Sequence, residues 1–260
     1  MRNTFVVLKK ELRVYLTTVT AYAGTGAFAF IMGILFILKV NQFQAYTRRF
    51  LAQQEPQYLE LLNFNDMIIA PMLQSGVSIF LFFVPFLTMR LFAEEKSGRT
   101  FELLMSLPLR SIDLVLGKFG ALALIVSIMV TIPLIFPLIL SMYGEGGGPE
   151  WAPIWSGTLV VLLVVLAFCA LGMLFSALSE SQIVAALLTF AALLVGVFLP
   201  MLAGRLDGDW RAVLEYLSPL THLRHGLTGR LHIKNLIYLG SSIVLCLLLT
   251  HRVVESHRWR

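Results

Sequence analysis

The chain has 260 residues, of which 58% are hydrophobic and 13% charged, and its mean hydropathy is +0.82. A soluble domain carries about 25% charged residues, so a water-soluble globular fold is excluded. The net charge of +5 gives no ground for a nucleic-acid partner, and two cysteines, Cys169 and Cys246, are too few for a disulfide framework.

A helix that crosses a bilayer needs about 20 mostly apolar residues. Six runs meet that need: 21–40, 67–89, 112–141, 154–178, 183–203 and 233–250. They are too long and too uniformly apolar for barrel strands, and in lipid only helices and closed barrels satisfy their backbone groups. The expected fold is an all-α polytopic membrane protein with six transmembrane helices, a single domain over 1–260. No small-residue cleavage site follows the first run, which reads as a retained helix rather than a signal peptide.

Ahead of the first run the sequence is amphipathic. Phe5, Leu8, Leu12 and Tyr15 share one face, and Lys9, Lys10 and Arg13 lie off it. Such a helix can rest in the headgroup layer. Alternatively, it simply extends the first span.

Between the second and third runs, Arg90 to Phe119 holds nine charged residues in thirty. Ser97 and Gly98 punctuate the chain. Thr100 is placed to cap a helix, and Glu102 falls in its first turn, where the helix dipole favours an acid. Leu103, Leu104 and Leu107 form an apolar stripe, and Pro108 ends the helix. An apolar stripe rimmed by charge is what a docking surface needs. A solvated loop that anchors two spans is the alternative.

Further along, "GEGGGP" at 144–149 is a short loop. "LSESQ" at 178–182 lacks paired glycines and lies between spans. Before the last run, Asp209 can cap a helix with Trp210, Val213, Leu214 and Leu217 on one face. Ser218 followed by Pro219 is a second helix start, with Leu220, Leu223, Leu227 and Leu231 on one face and Gly226 and Gly229 as weak points. The basic residues Arg205, Arg211, Arg224, Arg230 and Lys234 face either anionic groups or the local acids Asp207, Asp209 and Glu215. His222, His225 and His232 read as polar interface residues, because a metal site needs three or four converging ligands. No phosphate-binding loop, catalytic triad or HExxH pattern is present in the sequence, so neither ATP hydrolysis nor intramembrane catalysis is expected of this chain.

With both termini in the cytoplasm, twelve Lys and Arg residues fall inside and eight outside. That agrees with the positive-inside rule. It places 90–119 inside and 204–234 outside.

The stretch from Pro85 to Phe119 resembles ABC-type-2 transporter permeases, in the branch associated with gliding motility. The matching residues are Pro85, Leu87, Thr88, Met89, Arg90, Glu94, Glu95, Thr100, Glu102, Leu104, Pro108, Gly117 and Lys118. One departure is that Gly98 precedes Arg99, where the family has a glycine touching the threonine. "KKELRVYLTTVTAY" resembles the family's interfacial helix, without its proline near Thr20. The segment 204–234 resembles its external re-entrant hairpin, with His232 and Asn235 where acids are usual.

The resemblance implies a permease subunit of an ATP-driven exporter in the bacterial cytoplasmic (inner) membrane. A coupling helix built from Glu94, Glu95, Arg99, Thr100, Glu102, Leu103, Leu104 and Leu107 would dock a separate ATPase. His222, Arg224, Gly229 and Arg230 would belong to the external hairpin, and Lys9, Lys10 and Arg13 to the interfacial helix. The implied partners are two copies of the ATPase, which carries ATP and Mg, a second permease chain, the lipid bilayer, and an auxiliary membrane or periplasmic protein. No cofactor or metal is expected on this chain. The alternative is a subunit that transmits ATPase motion to an envelope machine and transports nothing.

Overall fold

The computed structural model describes residues 2–53, 63–106, 109–143, 148–204, 208–227, 229 and 231–257. Among these the chain is helical, and six helices are long and apolar enough to cross a membrane: Ala21–Ala52, Asn65–Ser97, Ser111–Tyr143, Trp151–Leu178, Gln182–Ala203 and Ile233–Ser256. All six expected runs are present. The first two are longer than hydropathy indicated: polar residues continue the first helix to Ala52, and a short helix, Arg90–Ser97, follows the second run.

Helix α1 (Arg2–Thr17) is separated from α2 (Val19–Ala52) by one extended residue, Thr18. The bend therefore forms without a proline. Instead of extending the first span, α1 packs along α6 (Ser111–Thr131). Its inward face is Val7, Leu8, Glu11, Leu12 and Tyr15, whereas Phe5 is 66% exposed. The expected face is thus rotated, because α6 offers glycines as its seat. A Cβ on Gly117 would lie 2.7 Å from Val7, and one on Gly120 would lie 2.9 Å from Leu8. Small residues of this kind let helix backbones approach closely in membranes.

A π-helical turn, Asn65–Ile69, leads into α3 (Ala70–Thr88), which breaks at Met89 before α4 (Arg90–Ser97). Neighbouring helices satisfy the freed groups. Ser176 Oγ accepts from the Phe92 and Ala93 amides at 3.0 and 3.2 Å and donates to the Met89 carbonyl at 3.0 Å. The Tyr15 hydroxyl donates to the Leu87 carbonyl at 3.0 Å. A side chain inserted into the ladder is an established cause of a helix break, and Pro85, one turn earlier, loosens it further.

Helix α5 (Phe101–Ser106) follows, then α6, a 3-10 turn at Ile132–Leu134 that contains Pro133, and α7 (Ile135–Tyr143). Helix α8 (Trp151–Leu178) is the centre of the molecule. It packs against α3, α4, α6, α9 (Gln182–Ala203), α11 (Pro219–Leu227) and α12 (Ile233–Ser256). Its buried residues are mostly valine, alanine and glycine. A Cβ on Gly172 would collide with the Thr88 side chain, so α3 and α8 are in intimate contact there. The rim helices α2, α9 and α12 present Ile37, Leu187, Val195 and Leu245 outward, as lipid-facing or partner-facing spans should.

Helix α10 (Asp209–Leu217) and α11 form a hairpin at one end. Gly208, at φ 78°, occupies the cap position of α10, so Asp209 is the first helical residue rather than the cap. Ser218 caps α11 as expected, its Oγ accepting from the Leu220 amide at 3.3 Å. Gly226 is a contact rather than a weak point: a Cβ there would lie 2.6 Å from Val160. Ser156 Oγ donates to its carbonyl at 3.1 Å.

Candidate functional site

Charged residues gather at the end of the bundle that holds α1, α4, α5, the start of α6 and the end of α12. Thr4 Oγ1 donates to Asp113 at 2.6 Å, and Lys96 meets His257 at 3.3 Å. The hairpin lies at the opposite end, beside the start of α8.

Helix α4 ends in a Schellman motif. The Thr100 amide donates to the Glu95 carbonyl at 3.0 Å, and the Arg99 amide to the Lys96 carbonyl at 3.1 Å. This motif needs a left-handed residue, usually glycine. Arg99 fills that place with φ 54°, and Gly98 lies one position early. The departure seen in the sequence is therefore structural: the chain has arginine where the backbone favours glycine. The Thr100 hydroxyl donates back to the Glu95 carbonyl at 3.2 Å, so its side chain is directed to α4 rather than to the start of α5.

The expected docking residues divide into two groups. Ser97, Gly98, Arg99, Thr100 and Glu102 are exposed, as is Glu94, which pairs with Arg90 at 3.2 Å. Phe101 and Leu104 turn the other way: Phe101 is buried against Phe92 and His257, and Leu104 packs half-buried on the permease's own core. Among the described residues the exposed surface here is a polar turn, and of the expected leucine stripe only Leu104 can be placed. The Leu103 side chain and Leu107 lie outside the described residues.

Glu95 also faces inward. Its Oε1 lies 2.8 Å from Lys118 Nζ and 3.6 Å from Lys10 Nζ. Lys118 lies 3.0 Å from Glu11 as well, and Lys10 and Glu11 are 3.2 Å apart. The Lys118 side chain is 2% exposed and sits 5.4 Å from the centre of the Phe92 ring. Two lysines and two glutamates thus close a neutral cluster from α1, α4 and α6. Partial burial opposes charge on Lys10, but Glu11 and Glu95 outweigh it and hold its pKa above the ordinary lysine value. Lys9 and Arg13 are exposed and take no part in this cluster. The sequence reading did not single out Glu11. Its signal was an acid on the apolar face of an amphipathic helix, a placement that demands a buried partner.

At the other end, buried His222 joins the hairpin to α12. Its Nε2 lies 2.8 Å from the Tyr216 carbonyl and its Nδ1 2.9 Å from Asn235 Oδ1. The ring stacks on Tyr238 with centroids 4.2 Å apart. Gly229 has φ 78° and rests near Pro153. The Arg224 side chain and Arg230 lie outside the described residues. Beside the hairpin is a cavity of about 870 Å³ lined by Gln74, Val197, Glu215, His222, Lys234 and Asn235 among others.

Six apolar helices, five of them around the central α8, with charge concentrated at the ends, define a multi-pass membrane protein. The chain belongs to the ABC-2 family of transporter proteins, whose family model matches residues 5–253. It is therefore the permease component of an ABC transporter, a class of membrane subunit that works with an ABC ATPase. No curated protein matches the chain.

Proposed function

We propose that this chain is the permease of an exporter of the gliding-motility-associated branch, in the bacterial cytoplasmic membrane with both termini inside. A separate ATPase, present in two copies with its ATP and Mg, docks on the turn 97–100 and on Glu102. Two permease chains make the membrane unit, meeting through apolar rim helices. ATP-driven closure of the ATPase pair moves the turn, and the permease pair opens a path outward. The observation that carries this reading is Arg99: an exposed cation held in a conformation that favours glycine, at the tip of a rigidly rooted helix. Backbone strain kept at an exposed position points to function rather than folding.

The test is recovery of the ATPase with affinity-tagged permease from native membranes. Glu102→Arg and Thr100→Trp should lower ATPase recovery about tenfold, a loss of about 1.4 kcal/mol. Permease yield and dimerisation should not change. Arg110→Ala, at the exposed start of α6, is the control. Full ATPase recovery with both variants would show that the turn is only an anchored loop.

A further inference from the structure

Glu95 holds two things at once. Its backbone carbonyl accepts from the amide and the hydroxyl of Thr100, at 3.0 and 3.2 Å, and so fixes the exposed turn. Its carboxylate holds Lys118 at 2.8 Å. Any displacement of the turn is therefore felt at Lys118 through a single residue. Lys118 passes it to Glu11 of α1 at 3.0 Å, and Gly117, next in the chain, is where α1 rests on α6.

We propose that Lys118 is a positioning residue for energy coupling: with Glu11, Glu95 and Lys10 it clamps the root of the docking turn to α1 and α6, so that these helices follow the turn when the ATPase acts. This inference rests on the docking reading above. The physical reason lies in the choice of charge. Apolar contacts are non-directional and allow helices to slide. Buried ion pairs often add little net stability compared with apolar residues, but their best-attested use is to fix register. Here they join residues 10, 11, 95 and 118 and so tie α4 to the α1–α6 pair, which already packs closely at Gly117 and Gly120. Glu95 Oε2 is buried without a hydrogen-bond partner among the described residues, so this carboxylate is held for its Lys118 contact and not for full satisfaction.

The test uses the permease–ATPase complex in lipid vesicles, with Cys169 and Cys246 replaced by alanine. Spin labels are placed at Asn3 on α1 and at Ile183 on α9, both exposed and neither part of the docking turn. In the otherwise native complex the distance between them should change between the nucleotide-free and the vanadate-trapped ATP state. Combining Lys118→Met with Glu11→Gln and Glu95→Gln leaves no unpaired buried carboxylate, so folding should survive. That variant should retain the ATPase, yet its label distance should no longer respond to trapping. Stimulation of hydrolysis by the permease should fall about fivefold or more. Lys118→Arg, which keeps the charge, should behave as the native chain. The proposal is overturned if the native distance does not change, or if the triple variant moves and hydrolyses like the native complex. Normal ATPase recovery with Glu102→Arg would instead count against the docking reading alone.

Discussion

Arg99 has φ 54° at the end of α4. A left-handed conformation costs a residue with a Cβ about 1–2 kcal/mol. Glycine relieves that strain but returns about 0.4–1 kcal/mol through the larger entropy of its unfolded state. Arg99→Gly should therefore stabilise the permease by about 0.5–1 kcal/mol, read as a higher midpoint of thermal unfolding in detergent. The same variant removes a cation from the proposed docking turn, so hydrolysis by the complex should respond less to the permease. Greater stability together with weaker coupling is the expected pair of results. A lower midpoint would mean that the arginine side chain itself supports the turn.

At the scale of elements, the contact between α1 and α6 decides whether the charge cluster can form. A helix of 16 residues is marginal on its own and depends on packing. Gly117→Ala would place a Cβ 2.7 Å from Val7 and 3.0 Å from the Thr4 carbonyl. Overpacking of this kind costs about 1–3 kcal/mol. Faster hydrogen exchange and faster proteolysis across residues 2–17 should follow, with the six-span body intact. Gly26→Ala is the control, because nothing lies within 4 Å of the added Cβ. Equal protection in both variants would mean that α6 is not the seat of α1. The interruption at Met89 belongs to the same scale: Ser176 and Tyr15, from other helices, receive the groups that the ladder releases there.

For the whole molecule, helix length and charge bear on the orientation proposed above. Helix α2 has 34 residues, about 51 Å of helix, against a hydrocarbon core of about 30 Å. It must tilt or project from the membrane. The end that holds Lys9, Lys10, Arg13, Lys96, Arg99 and Arg110 is the more basic and is read as cytoplasmic. Single cysteines at Glu150 or Gly208 should then react with membrane-impermeant thiol reagents from outside intact cells. Those at Ser97 or Glu180 should react only after permeabilisation. Outside labelling at position 97 would invert the orientation and remove the docking turn from the ATPase side.

The six spans, the amphipathic helix ahead of them and the start of α11 at Ser218 were all legible in the sequence. Hydropathy is a local property that the bilayer reads directly, and a cap is set by neighbouring residues. The tertiary structure alone decided which charges meet. Lys118 finds Glu11 across 107 residues, and Ser176 serves amides 84 and 83 residues away. Neither pairing has a local signature. It also turned Leu104 inward and Phe5 outward, because the face a short helix presents depends on the neighbour that offers it a seat. The strained place of Arg99 stood in the sequence as a misplaced glycine. Only the backbone conformation showed that the departure is borne as strain.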